Sequence, residues 1–181
     1  YKFIDFTHAL TKAYEIQGSL CLGTSLNKLG YDHVFYVKIA SGSVFSYLVN
    51  KGDTNAIRRT VNNILLDGPS LRAYRHFPNV GKRKSWAAAD ASKRGIELSI
   101  ISSYQDEIYE SVQNEDKWGF ETNFLDNSEL EFGKDLNNWV IQNVLFKVLF
   151  PAEFHGQSAV EAAIELSDEF NQNINKLEKV N

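Results

Sequence analysis

Apolar residues at Phe3, Phe6, Leu10, Ala13, Ile16 and Leu20 recur at three- and four-residue intervals, while Lys12, Glu15 and Gln17 occupy the positions between. That period predicts a helix over residues 2 to 21. A loop containing glycine and asparagine follows. Asp32 then stands where its carboxylate caps the segment Val34 to Val49, which is apolar nearly all round and reads as a buried helix, with its β-branched residues leaving a strand open. Asp53 caps a third helix that places Ile57, Val61 and Leu65 on one face and stops at Gly68-Pro69.

Residues 69 to 84 show no period and hold two of the three prolines, so they are predicted as a loop. Ser85 is expected to cap a helix running through Trp86, Ala89, Ile96 and Ile100, in which Ala87, Ala88, Ala89 and Ala91 permit close helix contact. Residues 105 to 137 are acidic and polar and read as an irregular surface connection. The run from Trp139 to Phe150, rich in Val, Leu, Ile and Phe and closed by Pro151, is predicted as a strand. Ser158-Ala159-Val160-Glu161 has the form of a capping box opening a last helix, whose stripe is Val160, Ala163, Ile164, Phe170, Ile174 and Leu177. The fold class expected is mainly α, with a helical domain over residues 1–137 and the first strand and helix of something different over 138–181.

Composition narrows this picture. With 181 residues, 43% hydrophobic and 13% aromatic, the chain has enough apolar material for a buried core. Its formal net charge of −4 argues against a nucleic-acid binder, which needs a basic face for phosphates. Cys21 is the single cysteine, so no intrachain disulfide forms, and this chain alone cannot ligate an iron–sulfur cluster; a reducing compartment is expected. No apolar run reaches the roughly 20 residues of a membrane helix, and Tyr1-Lys2-Phe3-Ile4-Asp5 has the form of neither a signal nor a transit peptide. The chain also contains no methionine and reads as a piece of a longer protein.

Against that acidic background, Arg72 to Lys84 places five cations and His76 in one loop. Arg72, Arg75 and Arg83 have the planar fork that grips carboxylates, and Lys82 and Lys84 add point charges. The competing reading is a solvated loop pairing with surplus acids. Lys147 lies inside Val144-Leu145-Phe146-Lys147-Val148-Leu149-Phe150, where a charge is costly unless paired, snorkelling or facing a cavity. Glu153-Phe154-His155 brings a carboxylate and an imidazole beside a helix start, and His33 follows Asp32, a neighbour able to orient its ring. No histidine pair has helical zinc spacing, and there is no glycine-rich phosphate loop or Gly-x-Ser-x-Gly elbow, so metal, nucleotide and serine-hydrolase chemistry find no support.

Five stretches taken in order carry a resemblance: Lys12-Ala13-Tyr14-Glu15-Ile16-Gln17-Gly18, Leu29-Gly30-Tyr31-Asp32-His33-Val34, Ser70-Leu71-Arg72-Ala73-Tyr74-Arg75-His76, Arg83-Lys84-Ser85-Trp86-Ala87-Ala88, and Phe146-Lys147-Val148-Leu149-Phe150-Pro151-Ala152-Glu153-Phe154-His155. Together they resemble the MmgE/PrpD family. The resemblance implies a large helical domain, a smaller α+β domain, an active site between them, and a homodimer formed through the helical domain. It implies dehydration of 2-methylcitrate to 2-methylaconitate in the methylcitrate cycle of propionate breakdown, with a small tricarboxylate as partner and no cofactor. It also implies the mitochondrial matrix in a eukaryote and the cytoplasm otherwise. By motif match His33 and Lys84 correspond to active-site residues, and Lys147 and His155 fall on the second domain's wall; on that resemblance His33 is expected to do acid/base work and Arg72, Arg75 and Arg83, with Lys84, to bind carboxylates, His76 being a further candidate substrate ligand.

Two departures accompany the match. Gly23-Thr24-Ser25-Leu26 stands in place of the family's Glu-Asn-Ser-Phe, and Ala89 in place of a usual glycine. The family's N-terminal Asp- and His-containing segment and most of its second domain are missing, so this stretch alone is expected to lack turnover. The alternatives are an inactive relative or truncated product with an assembly role, and a helical nucleic-acid module stacking bases on Tyr74, Phe77 and Trp86.

Overall fold

The computed structural model describes residues 1–146 and 148–176. Among them the regular structure is helical, and the only bridge is an isolated antiparallel one between Tyr31 and Leu71. The chain divides into two compact units, Tyr1–Asn143 and Val144–Asn181.

In the first unit, α1 (Phe3–Gly23), α3 (Thr54–Asp67) and α4 (Arg83–Ser102) pack around α2 (Val34–Val49). The all-round apolar character of α2 is the reason for its central place: a helix without a polar face must be covered on every side. Phe35, Tyr36 and Ile39 of α2 meet Leu20 of α1, Ile64 and Leu65 of α3, and Leu98 of α4 in the main core. A smaller cluster joins Val34 to Ala87 and Ala91, so two of the four expected small residues on α4 are buried while Ala88 and Ala89 face solvent. Gly42 and Gly95 let α2 and α4 cross closely, since a Cβ on Gly95 would meet the Lys38 carbonyl and one on Gly42 would come within 2.9 Å of the Gly95 carbonyl.

The first three helices end close to their predicted bounds. Asp53 accepts the Asn55 N–H at 2.9 Å, and Gly68, at φ 66°, closes α3. The Asp32 carboxylate accepts the Val34 N–H at 3.1 Å, as capping requires. α4 starts two residues before the expected Ser85, because the Ser85 hydroxyl donates back to the Lys82 carbonyl at 2.7 Å instead of accepting a backbone N–H.

Residues 105–137 depart from the expected surface connection. They include α5 (Phe120–Phe124), and Val112, Phe120 and Leu125 are buried in the main core, with Phe120 stacked on Phe35 at 5.2 Å between ring centroids. The polar composition conceals this because only a few apolar side chains in the segment do the packing. Residues 131–134 then run along the end of α1, where Gly133 donates to the Ser19 carbonyl at 2.8 Å and Glu131 to Thr24 Oγ1 at 2.9 Å.

The strand expected over Trp139–Phe150 is not present among the described residues. Its first part is the short helix α6 (Trp139–Asn143), whose Ile141 N–H donates to the buried Glu15 carboxylate at 3.0 Å. The following Leu145, Phe146, Val148 and Leu149 are exposed, and no described strand exists for them to pair with. In the second unit a 3₁₀ turn, Phe154–Gly156, leads into α7 (Gln157–Glu165) and α8 (Ser167–Asn173). The capping box on Ser158 does not form; α7 begins at Gln157, and the upstream Glu153 carboxylate instead accepts the His155 N–H at 2.8 Å. Ile164, Phe170 and Ile174 of the predicted stripe are exposed, and Leu177 lies outside the described residues.

Candidate functional site

Two loops far apart in sequence are tied together at the start of α2. The Asp32 N–H donates to the Ser70 carbonyl at 2.8 Å and the Arg72 N–H to the Gly30 carbonyl at 2.9 Å, flanking the Tyr31–Leu71 bridge. This pairing fixes the 3₁₀ turn Ala73–Arg75 over the α2 N-terminus and delivers two long polar side chains, Tyr74 and Arg75, to one carboxylate.

That carboxylate, Asp32, is fully buried. It accepts from Arg75 Nε at 2.6 Å, from the Tyr74 hydroxyl, and from the Val34 N–H. Burial works to raise its pKa, but these donors and the Arg75 charge prevail and hold it below the usual carboxylate range. Tyr74 is pushed the other way, by burial and by its bond to the Asp32 carboxylate.

His33 adjoins this pair with its side chain 40% exposed. Its Nδ1 lies 3.1 Å from Arg72 Nη1, 3.3 Å from Asn27 Oδ1 and 3.4 Å from Asp32 Oδ1, and Arg72 Nη1 also donates to Asn27 Oδ1 at 2.8 Å. Burial is the largest influence on its pKa and lowers it; Asp32 pulls it up, Arg75 and Arg72 push it down, and the net shift is downward. His33 also lines a cavity of about 230 Å³ with Cys21, Asn27 and Tyr36.

Arg83 joins the cluster by stacking, its guanidinium 5.2 Å from the Tyr74 ring centre and 4.6 Å from that of Trp86. Thus Arg72, Arg75, Arg83 and His33 are brought together. Lys84 follows Arg83 in the first turn of α4 and is exposed, and His76 is exposed just after the 3₁₀ turn. His155, in the second unit, is exposed and has Nδ1 3.1 Å from the Glu153 carboxylate. Lys147 lies outside the described residues.

Beyond the cap and orienting neighbour that the sequence predicts in Asp32, the structure adds Asn27 and the Tyr74 hydroxyl to the cluster. Asn27 carries no motif signal. Tyr74 did stand between two arginines, one residue before Arg75. The structure shows a second cluster: Lys38, buried in α2, donates to Asp67 at 2.7 Å and to the Gly68 carbonyl at 2.8 Å, while Arg94 grips Asp67 from α4 at 2.9 Å. A cation inside an otherwise apolar helix was its available sign. Among the described residues no group of three or more His, Cys, Asp or Glu side chains is arranged to hold a metal, and no helix is long and apolar enough to cross a membrane.

The MmgE/PrpD N-terminal domain matches residues 2–133. The chain is 42% identical over 161 residues to the 2-methylcitrate dehydratase of Escherichia coli, covering 89% of this chain and 33% of that protein. It is 39% identical over 169 residues to the mitochondrial 2-methylcitrate dehydratase of Yarrowia lipolytica, covering 93% and 32% respectively. Against the 2-methylcitrate dehydratase of Cupriavidus necator the identity is 41% over 158 residues, covering 87% and 32%. The chain therefore spans about a third of the length of these relatives. With the match running through every helix of the first unit except α6, the chain belongs to the MmgE/PrpD family.

Proposed function

We propose that this chain is part of a hydro-lyase that converts 2-methylcitrate to 2-methylaconitate. The observation that carries the reading is the coincidence of about 40% identity to dehydratases of that substrate with a cluster of three arginines and one histidine at the α2 N-terminus. Water loss beside a carboxylate needs a base for the C–H proton, a proton for the departing hydroxyl, and cations for the carboxylates and for the enolate-like charge of the transition state.

His33 supplies the polar group at the reacting centre, and Arg72 and Arg83, with Lys84, supply carboxylate contacts. Arg75 is mainly committed to Asp32 and holds the loop that carries Arg72. Lys147 and His155 are proposed for the wall furnished by the second domain, and His76 for the outer rim. We further place the complete protein as a homodimer formed through the helical domain, acting on its small tricarboxylate without nucleic acid, in the mitochondrial matrix of a eukaryote or the bacterial cytoplasm.

The test is water loss from 2-methylcitrate by the full-length protein, followed by the ultraviolet absorbance of the conjugated product. Lys84→Ala should reduce kcat/KM by about 100-fold or more, the scale of losing one preorganised charge contact, while Lys82→Ala stays near the parent. Equal activities for the two variants would sink the Lys84 assignment. Folded full-length protein that forms no product would leave the assembly reading in its place.

A further inference from the structure

A neutral imidazole carries one proton, and the nitrogen that holds it decides what the ring can do. Three groups surround Nδ1 of His33. Asn27 Oδ1 and Asp32 Oδ1 are acceptors and would draw the proton onto Nδ1, whereas Arg72 can only donate and requires a lone pair there. Arg72 is the nearest of the three, at 3.1 Å.

Each of the two acceptors already takes another donor and lies farther from Nδ1 than Arg72 does. Asn27 Oδ1 takes the same Arg72 Nη1 at 2.8 Å, Asp32 Oδ1 takes the Val34 N–H at 3.1 Å, and Asp32 Oδ2 is held by Arg75 and Tyr74. Burial, the largest influence, opposes a second proton on the ring; Asp32 favours one, but burial and the two guanidiniums prevail. The second proton is opposed as well by the N-terminus of the 16-residue α2, which His33 immediately precedes and whose partial positive charge disfavours an imidazolium. The titratable groups lining the neighbouring cavity, Cys21 from α1 and Tyr36 from α2, are both pushed up by burial and add no negative charge at neutral pH.

We infer that Arg72 fixes His33 as the Nε2–H tautomer, so that the ring serves the site as a hydrogen-bond donor to an anionic oxygen and not as the base that removes the C–H proton. The dehydratase reading supplies only the identity of that oxygen, a substrate carboxylate on which negative charge grows in the transition state. The Nε2 proton stays on nitrogen throughout, and the C–H proton passes to another group.

Long-range ¹H–¹⁵N correlation spectra of the full-length protein, with His33 assigned through His33→Gln, read the tautomer directly and independently of turnover. The expected result is an Nε2–H neutral ring that titrates below an ordinary histidine. In Arg72→Leu the His33 titration should move upward and Nδ1–H should become populated. An Nδ1–H tautomer, or an imidazolium at pH 7, in the parent protein would overturn the inference.

The donor role is read with propane-1,2,3-tricarboxylate, which has no hydroxyl to lose. It should shift the Nε2–H resonance and bind His33→Ala about tenfold or more weaker, with His33→Gln restoring much of the affinity through its own N–H. Unchanged resonance and affinity would overturn the donor role. If both readouts succeed while the protein never dehydrates 2-methylcitrate, the donor assignment stands and the substrate reading fails.

Discussion

Two carboxylates of the helical unit are each gripped by an arginine and a second donor, yet they do different work. Asp67, at the end of α3, is 27% exposed and is held by Lys38 from α2 and Arg94 from α4. Lys38 also caps the end of α3 through the Gly68 carbonyl, where the helix dipole favours a cation. This cluster joins three helices and is structural. Asp32 is fully buried and organises a loop, and beside it stand His33, whose Nε2 makes no hydrogen bond with the described residues, and Arg72, which reaches past the pair. The lesson is that a buried ion pair marks a site when it positions neighbours that remain available to a ligand, and marks only a joint when its donors end on the pair itself.

The comparison breaks first at Asp32. Asp32→Ala strands Arg75, whose side chain is 14% exposed, together with the Tyr74 hydroxyl, and should cost about 3–5 kcal/mol, the range for breaking a buried pair. Thermal or denaturant unfolding measures this, and a loss below about 1 kcal/mol would remove Asp32 from the centre of the cluster. Asp67→Ala should cost less, about 2 kcal/mol, because its partner Arg94 is 43% exposed and returns to water, leaving Lys38 as the main loss. Substrate-analogue binding sharpens the contrast: Asp32→Ala should weaken it about tenfold or more through displacement of Arg72, while Asp67→Ala leaves it within about twofold among molecules that remain folded.

Acid titration probes both clusters together. Burial acts against ionisation at each carboxylate, but arginine, lysine and tyrosine donors hold both below the ordinary value of about 3.9. A depressed folded pKa contributes stability that is complete above the unfolded value and is lost as pH falls through the folded one. Unfolding free energy should therefore decline below about pH 4, less steeply in Asp67→Asn than in the parent. The smallest effect is expected at the surface pair of Arg58 and Glu110, which are 53% and 73% exposed: Glu110→Gln should change stability by about 0.5 kcal/mol or less.

Much of the helical unit was legible because its signals are local. The bounds of α1, α2 and α3 follow from period and caps that act within a few residues, as at Asp53 and Gly68. The end of that local logic is visible at Trp139–Phe150. Val, Ile, Leu and Phe suit a strand, but a strand needs a partner, and Trp139–Asn143 instead takes a helical turn in which the buried Glu15 carboxylate receives a backbone N–H. The core residues Val112, Phe120 and Leu125 were missed for a related reason: three apolar side chains in a polar segment have no period to betray them.

By itself the sequence determined the helical class, the central burial of α2, the adjacency of Asp32 and His33, the gathering of cations between Arg72 and Lys84, and the family resemblance. Only the tertiary structure decided which cation is spent and which is available. Arg75 and Arg72 lie three residues apart and look alike in the chain, but one closes on Asp32 and the other reaches His33 and Asn27. That division arises because residues 30–32 and 70–72 pair across about 40 positions, and contacts over such a separation are set by the packing of the helices between them, not by any local period.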